Sequence, residues 1–327
     1  MSKIFIKKDR ERMWQSGHPW MYSGAVEKIE GNPEAGSVIE VYNWKKEFIG
    51  YGHYNKNSKI MVRMLEKDIN KKIDLNWYSE KVKEAYALRE MININSNGYR
   101  LIHSESDSLP GVIVDRFGDY LVVQASTLGM EKDKEFLIEA LKKEIPNLKG
   151  IYEKSEGDGR KLEGLPEVSG VLFGEVPDEI EIFEGEAKFT IDLKGQKTGF
   201  YSDQRDNRIL MGSLSKDKDF LDVCSYTGGF SLHAMVNGAN SSTLIDVSED
   251  VLNVARKNLI KYENVEFIKG NIFNVLRDLL KEGRQWDVVN LDPPKLAPNR
   301  RDLDKALKAY KDIILNGIKL TKKGGLL

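Results

Sequence analysis

A chain of 327 residues, 40% hydrophobic and 31% charged, carries enough apolar material for more than one core, which excludes wholesale disorder. Fifty basic against 51 acidic residues give no bulk signature of a nucleic-acid binder, although a local basic face can sit inside a neutral total. One cysteine and four scattered histidines exclude a disulfide framework and a cysteine-rich zinc site. No apolar run approaches the roughly 18 residues of a membrane span, and Met1-Ser2-Lys3 opens no secretory signal. The expectation is a cytoplasmic protein with neither a metal nor a membrane partner.

The first 70 residues read as short strands and turns. Lys3 to Lys7 alternates, Gly17-His18-Pro19-Trp20 is a turn, and Ser37 to Tyr42, Phe48 to Tyr54 and Ile60 to Leu65 are further strands. That spacing predicts a small β-barrel. From Asp74, a plausible N-cap, the positions Leu75, Tyr78, Val82, Ala85 and Tyr86 fall on one helical face. Gly111 to Asp115 and Tyr120 to Gln124 flank Arg116-Phe117-Gly118-Asp119 as a hairpin. A charged helix follows over Glu131 to Glu144, with Pro146 just past its end, then strands at Ile151 to Lys154 and Lys188 to Leu193. Ser155 to Pro166, rich in glycine and charge, reads as an exposed loop. Beyond Leu193 strands and helices alternate: Phe220 to Val223, Phe230 to Val236, Ser242 to Ile245, Ser248 to Tyr262, Val265 to Ile268, Ile272 to Leu280, Asp287 to Leu291 and Leu303 to Leu320. This is the pattern of a parallel sheet with crossover helices. Lys322-Lys323-Gly324-Gly325 reads as a helix stop, and Leu326-Leu327 as the opening of a fifth strand at which the chain ends, so a truncated sheet is expected.

Two segments carry chemistry. Phe220 to Phe230 is a hydrophobic strand, a small-residue turn at Cys224-Ser225-Tyr226-Thr227-Gly228-Gly229, and a helix. The glycines admit close approach of a ligand to the backbone, and the turn lacks the GxGxxG of a dinucleotide site. Asp246 ends the next strand 18 positions after Gly228, where a carboxylate accepts from ribose hydroxyls in nucleotide-binding βαβ units. The second segment, Asn290-Leu291-Asp292-Pro293-Pro294-Lys295, follows the fourth strand, on the same sheet edge as the Gly228 turn. Consecutive prolines hold it extended with carbonyls and no donors, so a carboxylate there can grip the amino group of a planar base. A purely structural turn is the competing reading for each segment alone.

Together these segments resemble the class I S-adenosylmethionine-dependent methyltransferases. The runs Gln196 to Arg208, Cys224 to Ala234 and Leu291 to Lys295, with Ser106 to Asp119 and Arg10 to Ser23, are similar to the rRNA cytosine-5 methyltransferases that carry an N-terminal PUA domain. The resemblance implies an α/β protein with three modules. These are a PUA-like RNA-binding β-barrel at residues 1–70, a central α+β domain at 71–193, and a Rossmann-like methyltransferase domain at 194–327, incomplete at its fifth strand. It implies S-adenosylmethionine as cofactor and large-subunit rRNA as partner, with a homodimer left open. Ser225, Tyr226, Thr227, Gly228 and Gly229 would face the methionine half, Asp246 the ribose, and Asn271 and Ile272 the adenine. Asn271 departs from the aspartate common in the family. Asp292, also at the cofactor, and Pro293 would position the base.

Carbon 5 of cytosine becomes nucleophilic only after a thiolate adds at carbon 6. In the family that cysteine follows the fifth strand, so it is expected beyond Leu327, and Cys224, inside the cofactor turn, reads as a small buried residue. Lys197, Arg205 and Arg208 are candidates for RNA phosphate contact, with a solvated loop as the alternative. Lys7, Lys8, Arg10, Arg12, Trp14 and Trp20 form a second basic and aromatic group, which a solvated face beside core tryptophans explains nearly as well. The histidines, His233 included, read as structural. A guanine-directed rRNA methyltransferase and a non-catalytic cofactor- or RNA-binding module remain as alternatives.

Overall fold

A computed structural model of the chain describes residues 1–8, 10–193, 199–297 and 300–327. It divides into two compact units, Met1–Asp178 together with Leu193 and Gly199, and Glu179–Asp192 with Phe200–Leu327.

The first unit opens with β1 (Lys3–Ile6), α1 (Arg12–Gln15), β2 (Trp20–Tyr22), β3 (Val26–Glu30), β4 (Val38–Tyr42), β5 (Phe48–Tyr54) and β6 (Ile60–Glu66). They form one sheet in the order β2-β6-β5-β4-β1-β3. Alternation sends Ile4, Ile6, Ile39, Val41, Val62 and Met64 into its core. Asp74 caps α2 (Leu75–Ile92) by accepting from the backbone N–H of Asn76 and Trp77 at 3.0 and 3.3 Å. The sheet that follows holds β7 (Gly98–His103), β8 (Val112–Phe117), β9 (Tyr120–Ala125), β10 (Gly150–Ser155) and β11 (Val168–Gly174), in sequence order. Its helices are α3 (Leu128–Lys132), α4 (Lys134–Glu144) and α5 (Asp158–Leu162).

The expected exposed loop after Ser155 is corrected at this point. Arg160 is fully buried on α5, donating to the carbonyls of Ala125 and Pro166 and to Glu131 Oε2. Glu163 is buried too, and accepts from Asn55, Ser58 and Arg63. Most of the stretch is exposed as expected, Glu156, Asp158 and Lys161 included, but Arg160 and Glu163 are paired interior groups, since a buried ion is tolerated only when bonded.

The second unit begins with an antiparallel hairpin, β12 (Glu179–Glu184) and β13 (Ala187–Asp192). The division drawn at residue 193 assigns this hairpin to the central domain, whereas it groups with the C-terminal unit. The reason is local: Thr190 N–H donates to Asn258 at 2.7 Å, and Lys257 pairs with Glu179. After α6 (Arg205–Ser213) come β14 (Asp219–Val223), α7 (Gly229–Val236), β15 (Ser241–Asp246), α8 (Glu249–Asn258), β16 (Val265–Lys269), α9 (Ile272–Lys281), β17 (Trp286–Leu291), α10 (Leu303–Leu320) and β18 (Thr321–Leu326). The sheet order is β16-β15-β14-β17-β18, all parallel.

The helix stop read at Lys322-Lys323-Gly324-Gly325 is corrected: these residues lie within β18, which pairs with β17 at Trp286↔Thr321 and Val288↔Leu326. Thr-Lys-Lys-Gly-Gly-Leu is poor strand sequence, but the open edge of β17 presents backbone groups that need partners. No helix among the described residues is long and apolar enough to cross a membrane.

Candidate functional site

The strand order reverses between β14 and β17, and ligands of open α/β sheets bind beyond the carboxyl ends of the strands at such a reversal. Register lines the ends up. Val223 lies opposite Ile245 on one side and Leu291 on the other, and Asp246 opposite Lys269. The turn after β14, Asp246, the start of α9 and Asp292 therefore share one edge.

The turn is tightly wound. Cys224, Tyr226 and Gly228 alternate in the left-handed region, at φ 63°, 50° and 76°. For the two that are not glycine this costs about 1–2 kcal/mol each, a strain that accumulates at functional turns. The turn is held by Ser225 N–H to the Ile245 carbonyl at 3.0 Å, Gly228 N–H to the Ser225 carbonyl at 2.8 Å, and Tyr226 N–H to Asp246 Oδ2 at 3.0 Å. A Cβ at Gly228 would lie 3.0 Å from Leu244 and 3.1 Å from Ala255 on a backbone already at φ 76°, and one at Gly229 would lie 2.8 Å from the Arg208 side chain, so glycine suits both positions. Asn258 on α8 donates to the Thr227 carbonyl at 3.0 Å. Ser225 Oγ is buried and has no hydrogen-bond partner among the described residues.

Asp246 is half-buried and also accepts from Ser248 N–H at 3.0 Å through Oδ1. Val247, directly after it, is 68% exposed, an apolar surface that sequence reading did not single out. Asn271 caps α9 by accepting from Phe273 N–H at 3.0 Å, and Ile272 is half-buried beside it. Asp292 is exposed and its N–H donates to the Val223 carbonyl at 3.3 Å. Tyr310 on α10 pins the proline turn, its hydroxyl accepting from Leu296 N–H at 3.2 Å and donating to the Pro294 carbonyl at 3.4 Å.

Asp222 escaped the sequence reading although it lies inside the motif. Fully buried, it accepts from Ser231 N–H and Oγ at 3.1 and 2.8 Å, and from Asn290 Nδ2 at 2.9 Å. It thereby ties α7, the helix after the glycine turn, to β17, the strand that precedes Asp292. Burial pushes its pKa up to about 6, against the hydrogen bonds of Asn290 and Ser231. Burial also pushes the Cys224 thiol up to about 12, with Asp246, Asp222 and Asp292 adding to the effect.

The RNA candidates separate. Lys197 lies outside the described residues. Arg205 is half-buried and pairs with its neighbour Asp206 at 2.9 Å. Arg208 is corrected: it is 3% exposed, forms a two-pronged pair with Glu184 at 2.7 Å, and donates to the Tyr201 carbonyl at 2.8 Å. His233 Nε2 meets the same carboxylate at 2.9 Å. A guanidinium so committed holds the hairpin to α6 and α7 and has no reach to phosphate.

Comparison with known proteins accords with this geometry. Residues 4–67 match the model of a PUA-like domain, and residues 116–325 that of S-adenosylmethionine-dependent methyltransferases. Ribosomal RNA large subunit methyltransferase I of Tolumonas auensis is 37% identical over 99% of this chain and 84% of its own length. The protein of that name from Photobacterium profundum is 38% identical over 100% and 84%. Among solved structures, a methyltransferase complexed with S-adenosylhomocysteine superposes with a TM-score of 0.82 at 20% identity, covering 100% of this chain and 85% of that one.

Proposed function

The chain belongs to the S-adenosylmethionine-dependent methyltransferase family that includes the large-subunit ribosomal RNA methyltransferases I, and on that premise we propose that it methylates carbon 5 of a cytosine in large-subunit rRNA. The sheet edge fits the cofactor. It offers a buried hydroxyl at Ser225 with no partner among the described residues, a tightly wound turn crowded around Gly228 and Gly229, and a carboxylate at Asp246 with acceptor capacity left beyond its two backbone bonds. Bound, S-adenosylmethionine supplies an electrophilic methyl group. Ser225 to Gly229 would hold its methionine half and Asp246 its ribose diol. Asn271, Ile272 and Val247 would border its adenine.

The observation that carries the base assignment is the register of β14 against β17, which sets Asp292 beside the end of Val223. Asp292 accepts from an exocyclic amino group, and Pro293, with no N–H, leaves the neighbouring backbone only acceptors to present. Tyr310 and Asn290 keep that turn in place. The step at carbon 6 requires a thiolate. Cys224 is unsuited to it, because burial, with three carboxylates adding to the effect, pushes its thiol up to about 12 and away from the thiolate.

The test is mass spectrometry of rRNA nucleosides from cells with and without the gene. Loss of 5-methylcytidine is expected. Loss of a methylguanosine instead would overturn the cytosine reading while leaving the methyltransferase intact.

A further inference from the structure

The sheet of the PUA-like domain has an outer face that no core explains. Along β1 and β4, Ile4, Ile6, Ile39 and Val41 point inward and are fully buried. Of the alternate positions, Phe5 and Tyr42 carry aromatic rings beside Lys3, Val38 and Glu40, where a wet face is expected to be polar throughout. Phe5 stacks on Tyr42 with centroids 5.4 Å apart, Tyr42 meets Phe48 at 5.8 Å, and Phe48 meets Tyr51 at 5.0 Å. All four rings are only half-buried. At the end of this ladder Trp44 is 43% exposed, with the ammonium groups of Lys8 and Lys45 each 5.4 Å from its ring centroid.

The loop that carries Trp44 is preorganised. Asn43 is buried, its Oδ1 accepts from Lys45 N–H and Glu47 N–H at 3.0 Å, and its Nδ2 donates to Glu47 at 2.7 Å. Lys46 takes the left-handed conformation at φ 64° to close the turn. Holding an indole in water by a rigid loop gives up its burial energy, and a large exposed aromatic in such a setting marks a contact surface.

We propose that the outer face of β1, β4 and β5, with Trp44 at its end, is a stacking platform for unpaired nucleotides of RNA. This rests on the reading of the chain as an RNA methyltransferase and names the surface and the form of RNA it takes. Charge selects the partner. Glu40 is engaged by Lys3 and by the Tyr42 hydroxyl, and Glu47 by Asn43. Lys8 and Lys45 instead spend their charges on the indole, and are free to turn to phosphates when a base replaces them on the ring. Flat rings with flanking cations suit splayed bases, whereas an A-form duplex keeps its bases stacked inside.

Fluorescence anisotropy on the full chain tests this with a labelled, unstructured RNA oligonucleotide and with the duplex formed from the same strand and its complement. Trp44→Ala should weaken single-strand binding roughly 5- to 150-fold, Trp44→Phe should restore most of it, and duplex binding should not change. Lys8→Gln with Lys45→Gln should flatten the slope of log affinity against log salt by about 0.7 per lysine. S-adenosylhomocysteine affinity of Trp44→Ala, read by calorimetry, should stay at the wild-type value. Single-strand binding unchanged in Trp44→Ala, an equal loss for strand and duplex, or a Trp44→Phe as weak as Trp44→Ala would each overturn the platform. Failure of the cytosine reading is seen separately, in the methylated nucleoside, and leaves these affinities untouched.

Discussion

At the scale of single residues, Asp222 and Asp246 hold the proposed cofactor edge by different means. Asp222 has lost its hydration, and burial lifts its pKa from the usual carboxylate range to about 6. A folded-state pKa above the unfolded one means that the native state binds the extra proton. This contribution to stability is complete below pH ~4 and is lost as pH rises through about 6, to the extent of about 3 kcal/mol. Geometry runs the other way, because the ionised carboxylate accepts more strongly from Ser231 and Asn290, whereas the protonated one carries an O–H that itself needs an acceptor. Cofactor affinity should therefore rise through pH ~6 while the stability contribution falls. Calorimetric titration with S-adenosylhomocysteine between pH 5 and 7.5, roughly bracketing that pKa, should show a limb in the wild type that Asp222→Asn lacks. The same limb in both proteins would place the titration elsewhere. Asp246→Ala removes acceptors for two ribose hydroxyls, each charge-assisted bond being worth about 1.5–3 kcal/mol, and also frees Tyr226 and Ser248 N–H. Affinity should fall at least roughly a hundredfold, and an unchanged isotherm would remove Asp246 from the site.

Among elements, the hairpin β12–β13 depends on one carboxylate. Burial raises the pKa of Glu184, but its bonds to Arg208 and His233 outweigh that and hold it below the ordinary value of 4.5. Its stabilising contribution is thus present above that value and disappears as pH falls through the folded pKa. Glu184→Gln would strand a buried guanidinium, at about 3–5 kcal/mol. Urea denaturation of the variant should show that loss, and a midpoint within error of the wild type would sink the account. This triad also marks where sequence legibility ended. The strand and helix periods of the C-terminal unit, the Asp74 cap and the shared edge of Gly228, Asp246 and Asp292 were all readable, because period and topology fix them. Arg208 was not, because a basic side chain in a polar run looks the same whether it meets water or Glu184. That partner is 24 positions upstream on an alternating strand, Glu-Ile-Glu-Ile-Phe-Glu, whose inward phase was the available signal. β18 was expected only from Leu326 and begins at Thr321 for the complementary reason, since its pairing comes from the neighbouring edge and not from its own residues. Trp44 drew no notice because exposure is invisible in sequence.

For the whole molecule, net charge says little and the distribution of cores says more. The N-terminal unit carries two buried clusters, one under β1, β4 and β6 and one around α2 and the sheet β7–β11. The C-terminal unit packs its own around β14, β15 and β17. Every residue assigned to the cofactor belongs to the C-terminal unit, and the proposed RNA platform to the N-terminal one. A ligand stabilises only what it binds, by about 2.7 kcal/mol when present at 100 times its dissociation constant. The tryptophans make the two units separately visible: Trp14, Trp20, Trp44 and Trp77 lie in the first, and Trp286 alone in the second. In Trp286→Phe, indole fluorescence therefore reports the N-terminal unit alone. Saturating S-adenosylhomocysteine should raise the calorimetric transition of the C-terminal unit while the fluorescence midpoint of Trp286→Phe stays where it was. Trp286 starts β17, at the opposite end from Asp292, so the substitution leaves the cofactor edge intact. A fluorescence midpoint that climbs together with the calorimetric one would mean that the two units unfold as a single cooperative body.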